Sequence, residues 1–127
     1  MKKFISTTSA PKAVGPYSQA VLTDNILFCS GQVAIDPATG TIDVYTIEEQ
    51  TERVISNLSA VLKKAGLSIK DVVQAQCFLT DMGEYQKFNE VYGKHFSKSK
   101  PARFTVEVSE LPLEAKVEIS CIATKSS

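Results

Sequence analysis

Residues 101–120, PARFTVEVSELPLEAKVEIS, constrain the chain more than any other stretch, because apolar and polar residues alternate there with period two in two separate runs. In the first run Phe104, Val106 and Val108 fall on one side and Arg103, Thr105 and Glu107 on the other. In the second, Val117, Ile119, Cys121 and Ala123 form the apolar row, and Lys116, Glu118 and Ser120 the polar one. Pro112 falls in the connection, where a missing N–H does least damage to a ladder. Two strands of one sheet are therefore expected, with the core on one face and Arg103, Thr105 and Glu118 on the other. A guanidinium and a carboxylate placed so can bind an acid and activate a water. They can equally form a cross-strand ion pair on a solvated face, worth less than ~1 kcal/mol.

The rest of the composition narrows the class. A chain of 127 residues, 43% apolar and 22% charged, reads as one soluble globular domain spanning 1–127 with a core of its own. Fourteen basic residues balance fourteen acidic ones, so no global field draws in nucleic acid or an anionic membrane. Cys29, Cys77 and Cys121 are odd in number and each lies in a β-type apolar run, as free buried thiols in a reducing compartment do. His95 is the only histidine, which argues against a histidine-based triad or a multi-histidine metal site. The opening MKKFISTTSA lacks an apolar segment of the secretory kind, and no run approaches the ~18 apolar residues of a membrane span. A cytoplasmic protein is expected.

Taken in order, residues 4–7 suggest a first strand. Tyr17–Leu22 and Ile26–Val33 suggest a hairpin closed by Thr23-Asp24-Asn25, where Asp and Asn tolerate left-handed backbone. Gly31 is anomalous inside the second of these strands and marks either a bulge or a close approach of a ligand to the backbone. Thr46 and Glu49 have capping-box spacing, followed by Ile47, Val54, Leu58, Val61, Leu62 and Ala65 at helical period, with Gly66 just past the end. A strand over Val72–Thr80 is expected to carry Val73, Ala75, Cys77 and Leu79 inward. Asp81 is placed to cap a second helix with the stripe Tyr85, Phe88, Tyr92 and Phe96, which reads as core, with His95 beside it as a surface or packing residue.

A hairpin, helix, strand, helix and two final strands fit a single sheet with both helices on one face. The other face would then present Tyr17, Phe28, Phe78 and Ile122 to water, which implies burial against other subunits. A site containing Arg103 and Glu118 would lie near that interface.

Gly15-Pro16-Tyr17-Ser18-Gln19-Ala20, Ser30-Gly31-Gln32, Gln50-Thr51 with Asn57-Leu58, and Phe78-Leu79-Thr80-Asp81-Met82 occur in this order along the chain. Asn89-Glu90-Val91-Tyr92, Pro101-Ala102-Arg103, Val106-Glu107-Val108, Leu111-Pro112 and Val117-Glu118-Ile119 follow. In this set the chain resembles the RidA/YjgF family of reactive-intermediate deaminases along nearly its whole length. The resemblance implies an α+β, chorismate-mutase-like fold: a mixed sheet with two helices on one face, assembled as a homotrimer with sites between subunits. It implies hydrolysis of enamines and imines such as 2-aminoacrylate, released by pyridoxal-phosphate enzymes, to 2-oxo acids and ammonia. The partners so implied are small 2-imino and 2-oxo acids, with no cofactor, metal, nucleic acid or membrane.

By the same resemblance Arg103 forks the substrate carboxylate, as suits a planar, permanently charged donor set. Glu118 holds the attacking water as a general acid/base, and Tyr17 lines the pocket. Ser30 and Gly31 bring a hydroxyl and a backbone amide to the substrate, while Asn89 is structural. Thr105 stands where many relatives have cysteine, which removes thiol regulation there and leaves its backbone N–H facing the carboxylate. Ser120 stands where many have a second acid, and Phe104 where a small residue is common. The alternatives are a non-catalytic small-metabolite binder and a translation-inhibitor or endoribonuclease role. The intact Arg103–Glu118 pair favours catalysis over a sensor, which would need only the arginine.

Overall fold

The alternating runs of the sequence become strands of one mixed six-stranded sheet in the computed structural model, which describes residues 2–125. The strands are β1 (Lys2–Ile5), β2 (Ala20–Thr23), β3 (Ile26–Gln32), β4 (Val72–Leu79), β5 (Ala102–Glu107) and β6 (Val117–Thr124), in spatial order β1-β2-β3-β6-β4-β5. All neighbours are antiparallel except β4 and β5. That parallel pair needs a crossover, supplied by helix α2 (Tyr85–Phe96). Helix α1 (Ile47–Lys64) packs against α2, β3 and β6, so both helices cover one face, as expected.

Helix α1 forms where its pattern places it. The Thr46 hydroxyl accepts from Glu49 N at 3.1 Å while the Glu49 carboxylate accepts from Thr46 N at 3.2 Å. The bonds that the Glu49 carboxylate accepts from Thr46 N and the Thr46 hydroxyl hold its carboxyl below the usual carboxylate range. Gly66, at φ +83°, takes the left-handed position that ends the helix. Val54, Leu58, Val61 and Leu62 meet Leu27, Ala75, Cys77, Val117, Ile119 and Cys121 in one buried cluster. Burying each Leu or Ile contributes on the order of 2 kcal/mol of transfer free energy. Cys29, Cys77 and Cys121 are free and buried. The Asp24 turn has the expected positive φ of 52°.

Several sequence expectations are corrected. The first strand is Lys2–Ile5, not residues 4–7, and Tyr17 lies in a loop ahead of β2. Register shifts between Val72 and Gln74, so Val72 is buried and Val73 is exposed. Asp81 caps a short 3-10 turn, Met82–Glu84, rather than α2 itself. The largest correction concerns residues 101–120. Strands β5 and β6 share the sheet but are separated by β4, so no cross-strand Arg103–Glu118 pair exists. Arg103 and Thr105 pair with Ala75 and Cys77 and share their helix-covered face, whereas Phe104 and Val106 look outward. Glu118, paired with Phe78, is on the uncovered face. Arg103 and Glu118 thus occupy opposite faces of one chain.

The uncovered face is apolar on either side of a polar strip of Gln74, Gln76, Ser120 and Glu118 on β4 and β6. Phe4, Val21, Phe28 and Ile122 lie in register across β1, β2, β3 and β6, and Phe78, Phe104 and Val106 extend the patch. Phe28, Phe104 and Val106 are 47%, 44% and 43% exposed. Phe78 and Phe104 meet edge to face with ring centroids 5.9 Å apart.

Candidate functional site

Of two depressions, one holds Tyr17, Gly31 and Glu118 and the other Arg103; they share no lining residue, and the predicted substrate-binding residues Ser30 and Thr105 line neither. The first surrounds Glu118. Strand β3 bulges at Ser30-Gly31, where its register against β6 jumps from Cys29–Cys121 to Gln32–Ile119. The bulge brings Gly31 against the Glu118 side chain: a methyl group there would collide with the carboxylate, its Cβ lying 2.9 Å from the carboxyl carbon. The bulge reading of Gly31 holds, and the group that approaches it here is the chain's own Glu118 side chain. The cavity, about 810 Å³, is lined by Tyr17, Gly31 and Glu118 together with apolar Val14, Val33 and Leu113.

The loop bearing Tyr17 is pinned by Gln19, 4% exposed, whose amide donates to Pro11 O at 2.7 Å and accepts from Thr7 N at 2.7 Å. Ser30 Oγ donates to Ser18 O at 2.6 Å. The Ser30 hydroxyl thus ties this loop to β3. Glu118 forms no hydrogen bond or ion pair among the described residues, and burial pushes its carboxyl above the usual range. A half-buried carboxylate with its lone pairs free can accept a proton from a water held in the cavity.

The second depression, about 420 Å³, is lined by Arg103, Asn89, Tyr92, Gly93, Phe96 and Lys100, among others. Arg103 Nη1 donates to Asn89 Oδ1 at 2.7 Å and Nη2 donates to Tyr85 Oη at 2.6 Å. Its guanidinium carbon stands 4.6 Å from the Tyr92 ring centroid, a cation–π distance. No carboxylate pairs with it among the described residues. A cation fixed on three sides and lacking a counter-ion is suited to a ligand carboxylate.

Thr105 lies on the same face of β5, beside Cys77. Burial pushes the Cys77 thiol up to about 12 against the opposing influence of Arg103. Its hydrogen bond with Cys29, together with burial, likewise raises Cys121. These are protonated core thiols and not nucleophiles. His95 pairs with Glu52 at 2.7 Å on the helix surface and lines neither depression.

Sequence reasoning missed the α2 residues around Arg103. Tyr85, Asn89 and Tyr92 follow one another at four- and three-residue spacing, so they share a helix face. That face read as core, and Asn89 as structural. The available signal was polar: an asparagine and two phenolic hydroxyls in a stripe that a pure core would fill with Leu or Phe.

The sequence model of one family, described as Endoribonuclease L-PSP, matches residues 7–125. The chain is 52% identical over 126 residues to a RutC family protein of Saccharolobus solfataricus, covering 99% of this chain and 100% of that one. It is 40% identical over 125 residues to a Bos taurus protein named 2-iminobutanoate/2-iminopropanoate deaminase, covering 98% and 91%. A solved Thermotoga maritima structure superposes with a TM-score of 0.97 at 50% identity over the full length of both chains. The chain belongs to the RidA/YjgF family. The chain shares the α+β fold of that family's solved structures.

Proposed function

We propose that the chain is an imine and enamine deaminase, converting 2-imino acids such as 2-iminopropanoate and 2-iminobutanoate to 2-oxo acids and ammonia. The observation that carries this reading is the unpaired Glu118 carboxylate over Gly31, in a cavity shared with Tyr17. The unpaired Arg103 and the name of the Bos taurus relative support it.

An enamine such as 2-aminoacrylate first tautomerises to its imine. Arg103 fixes the carboxylate, and Glu118 takes a proton from water as the oxygen attacks the imine carbon. Glu118 hands that proton to the nitrogen, giving the carbinolamine, and then takes the proton of the new hydroxyl as the C–N bond breaks to release ammonia and the 2-oxo acid. Tyr17 lies close enough to this cavity to hydrogen-bond to the nitrogen or the water. Glu118 returns its proton to the departing nitrogen. Imines of this kind hydrolyse unaided, so positioning and charge placement are sufficient catalysis.

Arg103 and Glu118 lie on opposite faces, so this chemistry needs the arginine of one chain beside the glutamate of another. A homotrimer with sites between subunits, working in the cytoplasm on small 2-imino acids, is the assembly we infer. The apolar parts of the uncovered face supply the surface for it. The test is a coupled assay of ammonia and 2-oxo acid release, with a dehydratase generating 2-aminoacrylate. The native chain should accelerate release and Arg103→Ala should lower kcat/KM by at least ~10³-fold while retaining the fold. No acceleration by the native chain, or full activity in Arg103→Ala, would overturn the reading.

A further inference from the structure

Arg103 is held by two hydrogen bonds that both come from α2, and they are unlike. Asn89 offers a carbonyl-type oxygen to Nη1 at 2.7 Å, an acceptor any helix-borne amide can provide. Tyr85 offers a phenolic oxygen to Nη2 at 2.6 Å from one turn earlier, just after the 3-10 turn. The Tyr85 hydroxyl makes no other hydrogen bond among the described residues. Its ring packs on Phe88, with centroids 6.3 Å apart, so the hydroxyl is not needed to hold the side chain in place.

A guanidinium carries five N–H groups in one plane. Fixing a terminal nitrogen at each end of that plane leaves Nε–H and one N–H on each terminal nitrogen for a ligand. Tyr92 under the face fixes the tilt of the plane. Remove the Tyr85 hydroxyl and the plane is free to rotate about the Asn89 bond, since Nη2 makes no other hydrogen bond among the described residues.

We propose that Tyr85 is a positioning residue for carboxylate recognition: its hydroxyl holds the Arg103 guanidinium in the orientation that forks the substrate carboxylate. This rests on the deaminase reading for the identity of the ligand, and on geometry alone for the role of Tyr85. The carboxylate keeps its charge while the C=N bond is hydrolysed, so its contacts are equally strong in ground and transition states. Losing part of them raises KM and spares kcat.

The experiment is Tyr85→Phe, which keeps the ring and its packing and deletes only the oxygen. KM for 2-iminobutanoate should rise about tenfold with kcat changed less than about twofold, the size of one lost charge-assisted contact. Calorimetric titration of 2-oxobutanoate should weaken by the same factor, while its neutral amide, 2-oxobutanamide, should bind the native and variant chains alike. In an Arg103→Lys background Tyr85→Phe should have no further effect, because an ammonium has no plane to orient. Equal weakening of acid and amide, an undiminished effect in the lysine background, or unchanged binding would overturn the proposal. A native chain that binds 2-oxobutanoate through Tyr85 and turns over no imine would sink the deaminase reading and leave this one standing.

Discussion

Strands β5 and β6 have the same alternating composition and bury opposite halves of it. In β6 the apolar row, Val117, Ile119, Cys121 and Ala123, is fully buried beneath α1, and the polar row carrying Glu118 faces away. In β5 the polar row, Arg103 and Thr105, lies on the helix side, and the apolar row, Phe104 and Val106, faces out. The difference follows from position. Strand β6 lies inside the sheet between β3 and β4, whereas β5 is an edge strand at the rim of the helical layer. At that rim the aromatic face of α2 holds a cation, and the outward apolar row is left for another surface. Alternation thus reports that a strand has two different faces. It does not say which one meets the protein's own core.

The sharpest way to break this comparison is to place the same charge in each apolar row. Ile119→Asp puts a carboxylate into a site with no solvent exposure, at a cost comparable with the whole ~5–15 kcal/mol stability of a domain. No cooperative melting transition should survive. Phe104→Asp should melt close to the native chain yet sediment as a monomer and lose the proposed deaminase activity, because the site we propose is shared between chains. A Phe104→Asp protein that keeps the native association state would show that the outward row of β5 covers nothing.

The same physics explains what the sequence could and could not convey. Helix α1, its capping box and Gly66 were legible because each rests on local spacing and local hydrogen bonds. The bulge at Gly31 was legible as an anomaly, a glycine in a strand. The facing of β5 was not, since it depends on which strand lies beside it and on how far α2 reaches. Val72 and Val73 were equally good core residues until pairing with β6 selected the first. Leu113 and Glu114, both at φ 56°, form a left-handed turn beside the Glu118 cavity that no residue type there announces. Arg103 and Glu118 could be named from the family resemblance, but their separation onto opposite faces could not. Tyr85 and Asn89 were hidden by the helical period, which sorts residues by face and cannot say that a face meets an arginine.

Glu118 sharpens the comparison from the other side, since it is the polar-row residue that faces outward and is still desolvated. Glu118→Gln should lower kcat by roughly 10²- to 10⁴-fold, the usual worth of a positioned acid/base. Its raised carboxyl sets a pH dependence in two measurements. Activity needs the carboxylate, so the acidic limb of kcat/KM should lie above the ~4.3 of an ordinary glutamate. Stability runs the other way. Between the unfolded and the raised folded value the native state holds the extra proton, so stability falls as pH rises through that window. Glu118→Gln should therefore melt higher than the native chain at neutral pH and alongside it below the window. Equal melting shifts at both pH values would mean that burial does not perturb this carboxyl.

The smallest expected effect tests why the carboxylate stands where it does. A Cβ at Gly31 collides with the Glu118 carboxylate rather than with backbone, so Gly31→Ala should displace the acid and leave the strand intact. Misplacing a catalytic group by about 1 Å costs up to ~10²-fold, and the mobile end of a side chain can give part of that distance back. A loss of about tenfold in kcat/KM with little change in melting is expected. The decisive comparison is with the same substitution in a Glu118→Gln background. If Gly31 acts by making room for the carboxylate, the two losses overlap and the double variant is scarcely worse than Glu118→Gln alone. If the losses multiply instead, Gly31 acts through something else. The nearest candidate is then the Ser30–Ser18 bond that ties the Tyr17 loop to β3, and the bulge would serve the loop rather than the acid.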